Sequence, residues 1–142
     1  GPLQMQKKRF EKNATYRRRD LHEEFNGQRQ GGISTPSQHN FIMLFTGEAG
    51  RQHGYKDGWS KENVFNYTGE GQRGDMQFKF GNKAIRDHIE ARKELHLFEQ
   101  VRKGYVRYVG QMQCVGYHWI EAPDTGGKQR KAIVFELKEV EH

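Results

Sequence analysis

An α+β fold, with a curled, mostly antiparallel sheet or barrel and two flanking helices, is what this sequence predicts. Three observations lead there. Several short segments alternate apolar and polar residues, or run continuously apolar, as strands do. Two other segments carry helical spacing, and they do not alternate with the strands as a parallel βαβ sheet requires. The chain has 142 residues, the length of one domain, and contains no internal repeat.

Residues 1–12 are polar and basic and are expected to form a mobile N-terminal segment. Gly1-Pro2-Leu3 reads as the remnant of a protease-cleavage site, so the natural chain is expected to begin later and to extend further at its C-terminus. Residues 13–142 are then a single domain. A first helix is expected over about 14–25, capped by Asn13 and stopped by Asn26-Gly27, with Leu21 and Phe25 on one face. Arg17, Arg18 and Arg19 fan around that helix. Gly27–Gly32 is too rich in glycine for a regular element. Phe41–Thr46 is a continuous apolar run, as in a strand buried on both faces. Val64–Thr68 is a short strand, and Met76, Phe78 and Phe80 alternate with polar residues as a half-buried strand does. Asn82 can cap a second helix over about 83–92, with Ile85, His88 and Ile89 inward. Leu95–Gln100, Tyr105–Cys114, Tyr117–Ala122 and Arg130–Glu139 complete the strands, and Asp124-Thr125-Gly126-Gly127 is the clearest hairpin turn.

Composition narrows the function. Mean hydropathy is −1.06 and hydrophobic residues make up 33%, but aromatics reach 12%; each buries a large area, so a compact core is attainable. Lys and Arg number 24 against 18 acids, a formal charge of +6, which favours a polyanionic partner. Cys114 stands alone, which excludes an internal disulfide and fits a reducing compartment. No apolar run approaches the ~18 residues of a membrane span and no signal peptide is visible, so a membrane is not an expected partner.

The most informative stretch is 54–75. Gly54-Tyr55-Lys56-Asp57-Gly58-Trp59 and Tyr67-Thr68-Gly69-Glu70-Gly71-Gln72-Arg73-Gly74-Asp75 place two tyrosines in glycine-rich polar loops. Such turns let the backbone approach a ligand closely, and two ring faces can sandwich a flat heterocycle while carboxylates and backbone groups read its edge. Two other patterns compete. Gly69-Glu-Gly71-Gln-Arg-Gly74 satisfies the dinucleotide fingerprint, but that fingerprint needs a helix to open at once, and a strand is expected at Asp75–Phe80 instead. Pro123-Asp124 with Glu136-Leu137-Lys138 has the form of a metal-dependent nuclease site, in which Asp124 and Glu136 would hold Mg²⁺ and Lys138 would help activate water. Against it, Asp124 suits a turn, and Glu136 and Lys138 suit the outward face of a strand. The seven histidines show no paired metal-ligand spacing, and no nucleophile pattern occurs. No catalytic residue and no cofactor are expected.

At the two-tyrosine segment the sequence resembles the SRA (SET- and RING-associated, or YDG) family of modified-cytosine readers. The matching residues are Gly54-Tyr55-Lys56-Asp57-Gly58, Asn66-Tyr67-Thr68-Gly69-Glu70-Gly71 and Gly81-Asn82-Lys83-Ala84-Ile85. Upstream, Gln30-Gly31-Gly32-Ile33 resembles the family's DNA-contacting loop. The arrangement also looks like the compact bacterial SRA-like modules attached to HNH restriction endonucleases, although no HNH motif occurs here.

The resemblance implies a PUA-like barrel that flips a 5-methyl- or 5-hydroxymethylcytosine out of duplex DNA. Tyr55 and Tyr67 would stack on the base, and Asp57 would accept from the cytosine N4 amino group, a pairing that favours cytosine over thymine. Backbone groups at Thr68 would read the Watson–Crick edge, with Glu70 at the pocket wall. DNA contacts are expected from Gln28, Gln30, Gly31, Gly32, Ser34 and Thr35 in the upstream loop, from Arg73 and Lys83, and from Arg17 and Arg18. Two departures stand out. Glu70 replaces a small hydroxyl residue, so its carboxylate either hydrogen-bonds a hydroxymethyl group or braces the loop. The long finger loop is missing, since six residues separate Asp75 from Asn82; the plug for the vacated stack would then come from Gln28–Gln30 or Arg73. The implied partner is double-stranded DNA with modified cytosine, in the bacterial cytoplasm at the nucleoid, with a nuclease domain attached in the full protein. The residues leave two alternatives open: the Mg²⁺-dependent nuclease, and a PUA-like RNA or modified-nucleotide binder that does not flip bases.

Overall fold

The computed structural model describes residues 9–27, 31–47 and 57–141. In chain order these form β1 (Thr15–Arg17), α1 (Arg18–Phe25), β2 (Ile33–Ser34), β3 (Phe41–Thr46), β4 (Gly58–Trp59), β5 (Phe65–Thr68), α2 (Phe80–Arg86), β6 (Glu94–Arg102), β7 (Tyr105–Pro123) and β8 (Gln129–Glu139). The strands make one eight-stranded sheet in the order β2-β3-β6-β7-β8-β5-β4, with β1 added to β7. All pairings are antiparallel except β3 with β6. The predicted α+β class and curled antiparallel sheet are therefore what the chain forms. The path does not close by strand pairing, and how its two edges meet decides where the site lies.

β3 is apolar at nearly every position because it separates two cores. Ile42 and Leu44 face one core, inside the curl, with Leu95 and Leu97 of β6 and Phe135 and Leu137 of β8. Phe41, Met43 and Phe45 face the other, with Leu21 and Phe25 of α1, Phe98 of β6, and Val106 and Tyr108 of β7. A strand buried on both faces needs no polar alternation.

Several elements differ from expectation, each for a local reason. Phe10 lies inside the segment expected to be mobile, yet it is buried, packing edge-on against Tyr16, Phe25, Phe41 and Phe98. Residues 1–8 fall outside the described residues. Asn13 does not cap a helix: it has φ 69° and donates its amide to Tyr108 O, turning the chain into β1. The helix thus starts at Arg18, with Arg17 in extended geometry before it; the stop at Asn26 is as read, its amide donating to His22 O.

No strand forms at Asp75–Phe80. Met76 is buried, Phe78 is half-buried and Phe80 is 85% exposed at φ 49°, so the alternation there is accidental. Helix α2 opens at Phe80, too late after Gly74 for the dinucleotide fingerprint. Asn82 lies within it, fully buried, rather than capping it; Ile85 and His88 point inward as expected, whereas Ile89 is exposed. The two strands read at 105–114 and 117–122 are one strand, β7, because Cys114–Gly116 is a bulge, not a turn. The Asp124–Gly127 hairpin turn forms as read, with Gly127 at φ 84°.

His88 shows how the second half of the chain is tied down. Its Nε2 accepts from the Cys114 amide at 3.0 Å, so the proton sits on Nδ1, which donates to Lys93 O at 2.8 Å. Burial holds its pKa below the ordinary value, outweighing the Lys93 carbonyl. The unfolded chain then binds a proton more readily than the native one. The stabilisation from neutral His88 is present above about pH 6.5 and is lost as pH falls through the native pKa. The urea midpoint of the wild type should therefore drop more steeply below about pH 6.5 than that of His88→Gln. Parallel profiles would contradict this assignment.

Candidate functional site

The two open edges of the sheet face each other across a seam that side chains close. Tyr67 of β5 points inward, 2% exposed, and its hydroxyl lies 2.7 Å from Gly32 O and 3.1 Å from Phe45 O, on the β2–β3 side. Burial pushes its phenol far above the usual range, so it remains a donor. Asp57 makes a second bridge: Oδ2 accepts from Thr46 Oγ1 of β3, and Oδ1 from the Thr68 amide of β5, both at 2.9 Å. Where these bridges meet, the seam opens into a cavity of about 390 Å³ lined by Asp57, Tyr67, Thr68, Glu70, Arg18 and Gly32, among others. That volume suits a small planar ligand.

The wall at Glu70 is built from α2. Asn82 Nδ2 donates to Glu70 O at 2.8 Å and Gln77 O at 2.9 Å, and its Oδ1 accepts from the Glu70 amide at 2.8 Å. Glu70 Oε2 in turn accepts from the Gly81 amide at 3.0 Å, so its carboxylate braces the loop. Desolvation raises the Glu70 pKa, partly countered by that amide. Close approach favours glycine at 69 and 81: a Cβ at Gly69 would lie 2.6 Å from Asn82 Oδ1, which is held by its hydrogen bonds, and one at Gly81 2.9 Å from Ile33 Cβ.

Arg18 forms the opposite wall. Its guanidinium lies 4.0 Å from the Phe45 ring centre, donates to Gly31 O at 2.5 Å and to His22 Nε2 at 3.0 Å. Burial lowers its pKa from the ordinary arginine value, leaving a positive charge at the cavity mouth.

Of the residues expected in the pocket, Asp57, Tyr67, Thr68 and Glu70 come together, with Arg18, Gly31 and Gly32 beside them. Tyr55, Gln28 and Gln30 lie outside the described residues. Arg73, Lys83 and Arg17 are exposed and Thr35 is half-buried; none of the four lines the cavity. Ser34 is corrected: it is fully buried in β2 and presents no surface to DNA. Sequence reasoning missed Gln100, Gly104, Tyr105 and Thr125, which join the lining from the β6–β7 and β7–β8 ends. The run Arg102-Lys103-Gly104-Tyr105, a basic tight turn with an aromatic, was the available signal.

The nuclease reading fails on geometry. Asp124 holds its own turn, accepting from the Gly126, Lys128 and Gly74 amides, which lowers its pKa. Glu136 instead meets His118 Nδ1 at 2.7 Å. Pro123 pairs with Gln129, so Glu136 lies seven ladder positions from the turn, roughly 23 Å at about 3.3 Å per residue.

No curated protein sequence matches the chain. Among solved structures, the sulfur-binding and SRA domains of ScoMcrA complexed with phosphorothioated DNA share 20% identity at a TM-score of 0.76, covering 94% of this chain and 41% of that one. The phosphorothioation-dependent restriction endonuclease ScoMcrA shares 19% at 0.77, covering 94% and 27%. The SUVH5 SRA domain in complex with methylated CHH DNA shares 21% at 0.64, covering 94% and 91%. At these identities the likeness is one of fold, and the chain spans less than half the length of the ScoMcrA structures. The ScoMcrA-like SRA domain profile matches residues 12–142, nearly the whole described fold including β1 and both walls of the cavity, and the chain belongs to that family.

Proposed function

We propose that this chain is a non-catalytic DNA-reading module that receives a 5-methyl- or 5-hydroxymethylcytosine, flipped out of duplex DNA, in the seam cavity. The observation that carries the reading is the fixed carboxylate of Asp57. Each of its oxygens already accepts one hydrogen bond from the protein, and each keeps a lone pair for a base amino group. A carboxylate accepts from the cytosine N4 amino group and meets only an acceptor at the thymine O4. Tyr67, whose buried ring lines the cavity, forms part of its wall, Arg18 supplies a positive charge beside it, and Tyr55 is assigned the stacking face. Extruding a base costs a few kcal/mol, which stacking at roughly 1–3 kcal/mol per base offsets with the edge hydrogen bonds. Membership in the SRA family supports the reading, as do the relatives complexed with methylated or phosphorothioated DNA. Of the two modifications, cytosine methylation is the one a base cavity can read. In the full protein the module directs an attached nuclease, as the longer ScoMcrA architecture suggests.

The test is competition binding at fixed salt with duplexes that differ at one base, with and without Mg²⁺. Wild type should prefer modified cytosine and leave the DNA uncut. Asp57→Asn keeps the shape of the bridge but places an amide among these donors. It should cut the preference for cytosine over thymine by about 1–3 kcal/mol, the value of one good base-edge pairing, while weak binding to any duplex persists. Undiminished cytosine preference in a folded Asp57→Asn would overturn the assignment, and preference for RNA would favour a reader that does not flip bases.

A further inference from the structure

Around the β6–β7 hairpin lies a cluster of positive charge that the described residues leave without an ion-pair partner. Arg102 ends β6, Lys103 and Gly104 make the turn, and Tyr105 opens β7. The Arg102 guanidinium lies 4.0 Å from the Tyr105 ring centre, and Arg17 of β1 lies 5.8 Å from the same ring, with its Nη2 3.5 Å from the Tyr105 hydroxyl. The β1–β7 ladder fixes this meeting, because Arg17 pairs directly with Tyr105. Two guanidiniums drawn to one half-buried ring repel each other, and no described carboxylate is close enough to pair with either.

The other cations of this region are treated differently. Arg107 is paired with Glu99 at 2.6 Å and Arg19 faces Glu23 at 3.9 Å. Among the described residues no carboxylate lies within 4 Å of Arg17, Arg102 or Lys103; Asp20 and Glu23 act on Arg17 only at longer range. The cluster is also placed for a purpose. Gly104, Tyr105 and Val106 line the cavity together with Arg18, so the charged turn is its rim.

We propose that Arg17, Arg102 and Lys103, organised around Tyr105, form a phosphate-binding rim that grips the duplex backbone beside the base held in the cavity. Stacking on the tyrosine restrains two long side chains before the ligand arrives, so less freedom is lost on binding. Planar guanidiniums held in a fixed fork also suit successive phosphate oxygens better than a flexible lysine would. The rim rests on the proposed DNA-reading role, but it acts on backbone charge and not on base identity.

The two roles separate in one experiment: affinity against salt for modified and unmodified duplexes, with wild type and Arg17→Ala/Arg102→Ala. Both side chains are exposed or nearly so, so the variant should fold, which circular dichroism checks. Each lost phosphate contact removes about 0.9 from the slope of log affinity against log salt. The double variant should therefore lose about 1.8 of slope, so that raising salt from about 50 to 200 mM weakens it roughly tenfold less than wild type. The ratio of modified to unmodified affinity should not change. Arg102→Lys should keep the slope. Lys138→Ala, which removes a cation opposite Gln113 and away from the rim, should also leave it unchanged. An unchanged slope in the double variant, or an equal loss in Lys138→Ala, would overturn the rim while leaving the base cavity standing. A slope loss with no modification preference in wild type would sustain the rim and overturn the cavity reading.

Discussion

Tyr67→Ala is expected to cost about 3–5 kcal/mol of stability, the range for removing a buried aromatic ring. The ring is 2% exposed and packs in the inner core, and its loss would also release the seam at Gly32 and Phe45. Tyr67→Phe keeps the ring and loses only the hydroxyl. Gly32 O still accepts from the Phe45 amide at 2.7 Å, so about 1 kcal/mol is the expected loss. The pair of variants separates the ring's part in the cavity wall from seam closure. Tyr67→Phe should hold most of the preference for modified cytosine. Folded Tyr67→Ala, studied at low temperature or with a stabilising osmolyte, should lose most of it, because the cavity wall goes with the ring. Urea denaturation followed by competition binding reads both effects. A folded Tyr67→Ala with full preference would place the base elsewhere.

The second large effect lies at Asn82, which touches no proposed ligand. Its amide satisfies three backbone groups, Glu70 N–H, Glu70 C=O and Gln77 C=O, at a site 1% exposed. Asn82→Ala would leave these groups without their partner, each at about 1–3 kcal/mol if no water replaces it. A total near 3 kcal/mol is expected, with water recovering part. Because the loop from Gly69 to Gly71 lines the cavity, the variant should also weaken modification preference while leaving the salt slope intact. Asn82→Asp keeps the acceptor, loses the donor and adds a charge near Glu70, and should be at least as damaging. A denaturant midpoint within about 0.5 kcal/mol of wild type, the usual spread of a neutral surface change, would show that the loop is held by other means.

What could be read beforehand follows from how local each signal was. β3 and the Asp124–Gly127 turn were legible because a continuous apolar run and an Asp-Thr-Gly-Gly turn each depend on neighbouring residues. Asp57, Tyr67, Thr68 and Glu70 were legible as a group because one short stretch of chain carries them all. Phe10 was not, since a lone aromatic in a basic segment gives no period, and only the assembled second core shows where it goes. The strand assigned to Met76, Phe78 and Phe80 obeyed the right period for the wrong reason: Met76 is buried by offering its sulfur to the Ile133 amide at 3.3 Å, while Phe80 points into solvent. Tyr105 reaches the cavity through the pairing of β7 with distant strands, which periodicity does not encode.

β7 is the one strand that pairs with β1, β6 and β8, and it feeds both cores, Val106 and Tyr108 to one and Met112 and Ala122 to the other. Loss of order in either core therefore disturbs a strand on which the other depends, which couples the two cores energetically. The β3–β6 and β5–β8 pairings join residues far apart in sequence, so their loops must close before the contacts reward them, and folding is correspondingly slow.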